Sequence, residues 1–186
     1  MRIENAFEVP ARPEAAWALL MDVPRIIPCM PGAKLDETVD ESNWKATMNV
    51  KLGPISLAFA TDVKRESIDQ AARHAVLSAR AREARGRGQA QATIESALEP
   101  VDDGTRVTIV TDLTLSGPVA QYGRGLVQDV SSQLVASFAE CIKAQLDGEG
   151  EKAEAAVAAQ AKPVGGLGLG LRAVRRSIGR LFRRGR

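Results

Sequence analysis

The chain has 186 residues, 45% hydrophobic and 26% charged, the composition of a globular protein with room for one well-cored domain and further segments. No run of about 18 apolar residues occurs, so no helix of this sequence spans a bilayer. The net charge of +2 hides an asymmetry: seven arginines and no acid follow residue 171, leaving 18 basic and 23 acidic residues elsewhere, a net −5. A mildly acidic body with a strongly basic tail poses two separate physical problems.

Met1 to Asn5 enters an alternating pattern that includes an acid and lacks the apolar core of a signal peptide, which places the protein in the cytoplasm. Ile3, Asn5, Phe7 and Val9 alternate as a first strand. Pro10 and Pro13 open a helix holding Ala15, Ala16, Trp17, Leu19 and Leu20. A second short helix or turn covers Val23 to Met30 and ends at Pro31-Gly32. Cys29 in this turn and Cys141 are the only cysteines; so far apart, in a reducing compartment, they read as free thiols.

From Ala33 to Ser116 the period is that of strands. Trp44, Ala46, Met48, Val50 and Leu52 form one phase, while Lys45, Thr47, Asn49 and Lys51 form the wet one. After Gly53-Pro54, Ile55, Leu57, Phe59 and Val63 continue the apolar phase, with Thr61 a polar exception. Ser67-Ile68-Asp69 reads as a turn into Ala71–Arg82. Gly86 and Gly88 break the pattern before Gln89–Pro100, as a bulge or bend in the sheet would. Asp102-Asp103-Gly104 is a hairpin signal before Val107, Ile109, Thr111, Leu113 and Leu115.

After Gly117-Pro118 the spacing becomes three or four. Val119, Tyr122, Leu126, Val130, Leu134, Phe138, Ile142 and Leu146 define one amphipathic helix of about seven or eight turns. The body is thus α+β, in the order β-α-α-β6-α: a curved antiparallel sheet around a long C-terminal helix. The inner phases of the later strands are small: Ala75, Leu77, Ala79 and Ala81, then Ala90, Ala92, Ile94, Ser96 and Leu98. Either the helix stands off and leaves an apolar cavity, or it settles closer onto the alanines; the pattern admits both.

Catalytic chemistry finds little support. His74, the single histidine, falls on the outward phase, which removes Ser-His-Asp and Cys-His arrangements. Cys29 reads as a thiol opening on the pocket or as a small buried one. Gly86 and Gly88 lack the context of a phosphate loop. Asp62, Glu95 and Asp112 lie on wet phases, and no metal-binding spacing is present.

Residues 147–170 read as a linker, flexible over roughly 25–29 Å, or with its alanine-rich part prolonging the helix. In residues 171–186, Leu171, Val174, Ile178, Leu181 and Phe182 gather on one helical face. Arg172, Arg175, Arg176, Arg180, Arg183 and Arg184 take the other. Such a helix lies in the plane of an anionic leaflet. The competing readings are a disordered solubilising tail, an acidic protein partner, and a nucleic-acid arm, the last disfavoured by the apolar stripe.

Four motifs recur in order: Pro28-Cys29-Met30-Pro31-Gly32-Ala33, Lys51-Leu52-Gly53-Pro54, Gly86-x-Gly88-x-Ala90-x-Ala92 and Gly117-Pro118-Val119-Ala120-Gln121-Tyr122-Gly123. Over residues 1–146 the chain resembles the carbon monoxide dehydrogenase G-subunit (CoxG) family of the START-like helix-grip superfamily. It departs in having Ala33 where many members carry a second cysteine. The resemblance implies a helix-grip fold with a lipophilic cavity, and an accessory role to a molybdenum hydroxylase at the cytoplasmic membrane. The expected protein is therefore a non-enzymatic adaptor, peripheral on the inner membrane face, with no catalytic or metal site and no nucleic-acid partner. Its pocket, for an isoprenoid quinone or other apolar molecule, would draw on Trp44, Met48, Val50, Leu57, Phe59, Leu77, Ile94, Ile109 and Leu113. Tyr122, Leu126 and Val130 would close it, with Pro31-Gly32 and Gly53-Pro54 at its mouth. The alternatives within the same fold are a polyketide aromatase/cyclase and a soluble lipid carrier.

Overall fold

A computed structural model describes residues 1–52, 55–148 and 157. Seven strands form one antiparallel sheet in the order β1-β7-β6-β5-β4-β3-β2. They are β1 (Arg2–Val9), β2 (Ala33–Thr38), β3 (Asn43–Leu52), β4 (Ile55–Asp69), β5 (His74–Glu83), β6 (Gln89–Val101) and β7 (Gly104–Ser116). Between β1 and β2 lie α1 (Pro13–Met21), α2 (Val23–Ile26) and a 3-10 turn, Ile27–Cys29. A second 3-10 turn, Pro118–Tyr122, precedes α3 (Gly123–Leu146). The sequence-predicted element order is met throughout.

Local chemistry explains the boundaries. Pro13 occupies the first turn of α1, where its missing N–H would have had no helical partner anyway. Asp22 caps α2, its side chain accepting from the Arg25 amide. β4 continues to Asp69, beyond the turn expected at Ser67–Asp69. A register shift between Arg65 and Ser67 absorbs the irregular sequence, and the reversal falls at residues 70–73 instead. Gly86 and Gly88 sit in the β5–β6 connection rather than within a strand, so they mark a turn and not a sheet bulge. The C-terminal helix is also shorter than predicted: Gly123, at φ +77°, separates its first turn from the rest.

The helix–sheet core lies at one end of the molecule. Val9, Trp17, Leu19, Leu20, Leu98 and Val107 pack with Phe138, Cys141 and Ile142 of α3. Phe7 of β1 meets Phe138 edge-on, their ring centroids 6.0 Å apart. Thr105 is wholly buried, and its hydroxyl donates to the Ala11 carbonyl at 2.7 Å. Val157 is helical and belongs to the same cluster. The other residues of the predicted linker beyond Gly148, and the whole basic tail 171–186, lie outside the described residues.

A further expectation is overturned at the cysteines. Cys29 and Cys141 are not free thiols but form a disulfide, with Cα atoms 5.3 Å apart across 112 residues of sequence. Spacing in sequence carries no sign of this pairing, which arises because the 3-10 turn after α2 packs on the second half of α3. By the loop-entropy argument, closing so long a loop stabilises the fold by about 4–5 kcal/mol. The Cys29→Ser/Cys141→Ser variant should therefore unfold at a clearly lower temperature than the oxidised protein, in calorimetry. Mass spectrometry of the wild type should show a gain of two hydrogens only after reduction.

Candidate functional site

Strand register places the predicted pocket residues on one face. One row runs Trp44, Val63, Ala79, Ala92, Leu113, and the next runs Ala46, Thr61, Ala81, Ala90, Leu115. Further along lie Leu77, Ile94 and Thr111. In both rows alanines occupy β5 and β6, and in the first row larger side chains, Trp44, Val63 and Leu113, stand on the flanking strands. The face is therefore a trough, deepest along β5 and β6.

Two clusters bound it. At one end is the core around α3 already described. At the other, Leu57, Phe59 and Val119 are buried, with Met48, Val50, Ala81 and Leu115 packed on them. Between the clusters, Val63, Leu77, Ala79, Ala92, Ile94, Thr111 and Leu113 face the helix yet are only half-buried. The reason is visible in α3. Along its single stripe, Leu126 is 37% exposed, Val130 and Leu134 are half-buried, and Phe138 and Ile142 are 5% and 0% exposed. The second half of α3 grips the sheet; the first half leaves the trough accessible to solvent.

The twelve predicted pocket residues thus divide. Leu77, Ile94 and Leu113 line the open trough, and Val130 of α3 is half-buried like them. Met48, Val50, Leu57 and Phe59 belong to the far cluster, and Ile109 packs against the α3 core. Trp44 is buried at the trough's edge, where the Arg65 guanidinium stacks on it at 4.9 Å. Arg65 also donates to the carbonyls of Met21 and Glu41, tying this edge to α1. Leu126 is too exposed to close the pocket, and the Tyr122 side chain and Gly53-Pro54 lie outside the described residues. Pro31-Gly32 fixes the β2–β3 edge: at Gly32, φ +82°, a Cβ would stand 2.1 Å from the Asn49 oxygen.

Two surface hollows lie elsewhere. One of about 680 Å³ is lined by Glu8, Pro10, Asp102, Asp103, Arg106 and Lys143 among others. One of about 300 Å³ lies beside α1, between Trp17, Met21, Ile68 and Arg73. Neither contains a predicted pocket residue. The first is an open surface of mixed charge, poorly suited to an apolar ligand.

The polar groups of the trough are few and mostly engaged. Ser96 Oγ donates to the Ala75 carbonyl and Thr61 Oγ1 to that of Phe59. His74 is at the surface, 3.9 Å from Glu95. Among the described residues no group of three His, Cys, Asp or Glu side chains could hold a metal ion. No described helix is long and apolar enough to cross a membrane.

Sequence reasoning missed Glu83. Its position on the inward phase of β5, opposite Phe59, is the signal that could have found it. The carboxylate is buried, and accepts from the amides of Arg85 and Arg87 at 2.8 and 3.0 Å and from Arg87 Nη2 at 3.2 Å. Arg87 Nη2 also donates to the Ser56 carbonyl, so the pair ties the β5–β6 turn to β4. The turn in turn meets β7, since a Cβ on Gly88 would lie 2.3 Å from the Ser116 oxygen. Val119 donates its amide to the Arg87 carbonyl. Glu83 and Arg87 therefore hold the end of the sheet from which the chain departs toward α3.

Residues 6–147 match the family of the carbon monoxide dehydrogenase G-subunit (CoxG). The chain therefore belongs to that family. No curated protein matches it. A conserved protein from Geobacillus kaustophilus is similar in structure, with TM-score 0.71 and 22% identity over 80% of this chain and 96% of that one. The Zhui aromatase/cyclase from Streptomyces sp. R1128 follows the same fold, with TM-score 0.55 and 13% identity over 79% and 93%. A Thermus thermophilus protein does so at TM-score 0.58 and 16% identity over 80% and 98%. The helix-grip architecture expected from the sequence is thus shared with solved structures.

Burial pushes the Glu83 carboxyl up, but the amides of Arg87 and Arg85 and the Arg87 guanidinium outweigh it and hold it below the usual carboxylate range. A depressed folded value stabilises the fold above the unfolded value, near 4.5, and that contribution is lost as pH falls through the folded one. Unfolding monitored between pH 7 and pH 3 should therefore show a shallower acid decline in Glu83→Gln than in the wild type. An identical decline would mean that this pair does not contribute.

Proposed function

We propose that this member of the CoxG family is a non-enzymatic adaptor. It brings a molybdenum hydroxylase of the carbon monoxide dehydrogenase type to the inner face of the cell membrane, and its trough holds a respiratory quinone or another lipid. The observation that carries the reading is the half-buried apolar floor between two closed clusters. A folded domain that leaves Leu77, Ile94 and Leu113 partly wet forgoes burial worth about 25 cal/mol for each Å². A long apolar ligand laid along the alanine rows recovers it.

The family name supplies the partner class, and chemistry supplies the reason for a quinone. The dehydrogenase is soluble, whereas its electron acceptor dissolves in the bilayer. An apolar seat on a membrane-bound adaptor joins the two phases. The tail fits the same role, since each arginine near an anionic surface is worth about 1 kcal/mol and an apolar stripe adds to it. The cyclase reading asks for acid–base groups within the trough, and the hydroxyls of Ser96 and Thr61 are already turned to backbone carbonyls.

Two measurements test these halves. A short-chain naphthoquinone should bind the wild type in titration calorimetry, and Ala92→Trp should weaken it tenfold or more with little change in Tm. If the wild type binds neither quinone nor extracted lipid, the pocket is not a lipid site. Full-length protein should sediment with anionic vesicles at low salt, and replacing the seven tail arginines by glutamine should reduce this sharply. Equal sedimentation of both would dismiss the tail as anchor.

A further inference from the structure

We infer that Asn5, Thr111 and Ser131 form the head-group end of the trough. Its ligand is then an uncharged amphiphile whose carbonyl or hydroxyl oxygen is held there while its apolar part lies over the alanine rows. The inference rests on the reading of the trough as a lipid site and adds which end takes the polar head. Strand register fixes the order of rows along the inner face. Phe7, Val107 and Leu98 lie in the sealed core. The next row runs Asn5, Ile109, Ser96, Ala75, and the one after it Ile3, Thr111, Ile94, Leu77. The two rows beyond, through Ala79 and Ala92 and then Ala81 and Ala90, carry one hydroxyl on their strands, that of Thr61. Polar side chains are thus gathered where the core gives way to the open floor.

Asn5 is out of character for its strand. Its neighbours on the inner phase are Ile3 and Phe7, asparagine is disfavoured in strands, and the residue is half-buried. Its Nδ2 donates to Ser131 Oγ of α3 at 3.3 Å, which uses one of its four hydrogen-bonding positions. The Thr111 hydroxyl, also half-buried, is hydrogen-bonded to no other described residue. The two are diagonal neighbours across β1 and β7, about 7–8 Å apart by strand geometry, a span that one polar head bridges. Polar groups held partly out of water without partners cost free energy that leucine and valine at the same places would avoid. A ligand oxygen seated between them supplies the partner. The second N–H of Asn5 and the Thr111 O–H donate to a carbonyl, and Asn5 Oδ1 accepts from a hydroxyl, so the pair suits a quinone and its quinol alike. A carboxylate head is poorly matched. The charged side chain aligned with these rows, Arg65 opposite Leu77, is already stacked on Trp44 and bonded to two carbonyls.

The test compares menadione with methylnaphthalene, which share a carbon skeleton and differ in the carbonyls, by equilibrium dialysis against full-length protein. Thr111→Val nearly keeps the shape of the side chain while removing its hydroxyl. It should weaken menadione about fivefold, the scale of one hydrogen bond, and leave methylnaphthalene unchanged. Asn5→Leu should discriminate between the probes in the same direction. In nitrogen-15 spectra the Asn5 side-chain amide, identified by its loss in Asn5→Leu, should shift with menadione and stay in place with methylnaphthalene. Equal losses for both probes would reveal a packing role and overturn the inference. Menadione affinity untouched in both variants would overturn it too, and either result leaves the trough standing as a lipid site. A wild type that binds neither probe overturns that reading, and this inference with it.

Discussion

The structure depends on one helix being held at only one end. Phe138, Cys141 and Ile142 are sealed against α1 and the β1–β7 side of the sheet, and the bond from Cys141 to Cys29 fastens that half of α3 to the segment before β2. In the first half, Ser131 accepts from Asn5 of β1 at 3.3 Å, but none of the described stripe residues is sealed. Its stripe residues Leu126, Val130 and Leu134 keep the apolar character of the second half without its burial. A helix so fixed need not close onto the sheet to be stable, and the apolar face beneath its free half stays open.

The sheet is built to suit that opening. Where α3 grips, Phe7, Leu98 and Val107 fill the space; where it stands off, the middle strands present Ala79, Ala81, Ala90 and Ala92. Small residues in mid-sheet beneath a closely packed helix would draw it inward, as interiors tolerate few voids. Beneath a helix held elsewhere, they deepen a trough instead. The far margin is kept in place by a polar device: Glu83 and Arg87 join the β5–β6 turn to β4, and close glycine packing joins the same turn to β7.

Much of this was legible in the sequence, and the reasons differ by element. Period-two alternation located the strands, and the change to a spacing of three or four located α3, because burial on one face dictates both. Inner and outer phases followed from the same pattern, so Leu77, Ile94 and Leu113 were placed correctly on one face. What alternation cannot give is depth along that face. Whether Met48 and Phe59 fill a core or line a space depends on where the Val119 turn seats, a tertiary fact. The strand end at Asp69 was hidden by the register shift after Arg65, which no periodicity anticipates. The Cys29–Cys141 bond was invisible for the same reason: it expresses the docking of two distant segments. An inward-phase glutamate, by contrast, was readable, and only its identity as a satisfied buried ion pair required coordinates.

The fold is shared with an aromatase/cyclase, and that likeness constrains architecture without choosing chemistry. The choice has to come from the side chains that a ligand would touch. Acid–base catalysis on a bound polyketide needs groups free to exchange protons beside the reacting carbons. Among the described residues, the ionised side chains on this inner face, Arg65 and Glu83, sit at the margins and are occupied. Arg65 is stacked on Trp44 and bonded to two carbonyls, and Glu83 is saturated by two amides and a guanidinium. Between them the floor is alanine, leucine, isoleucine and valine with a few hydroxyls. Among the described residues, a surface of that kind can hold an apolar molecule in place and shield it from water, and the non-enzymatic reading proposed above rests on that character.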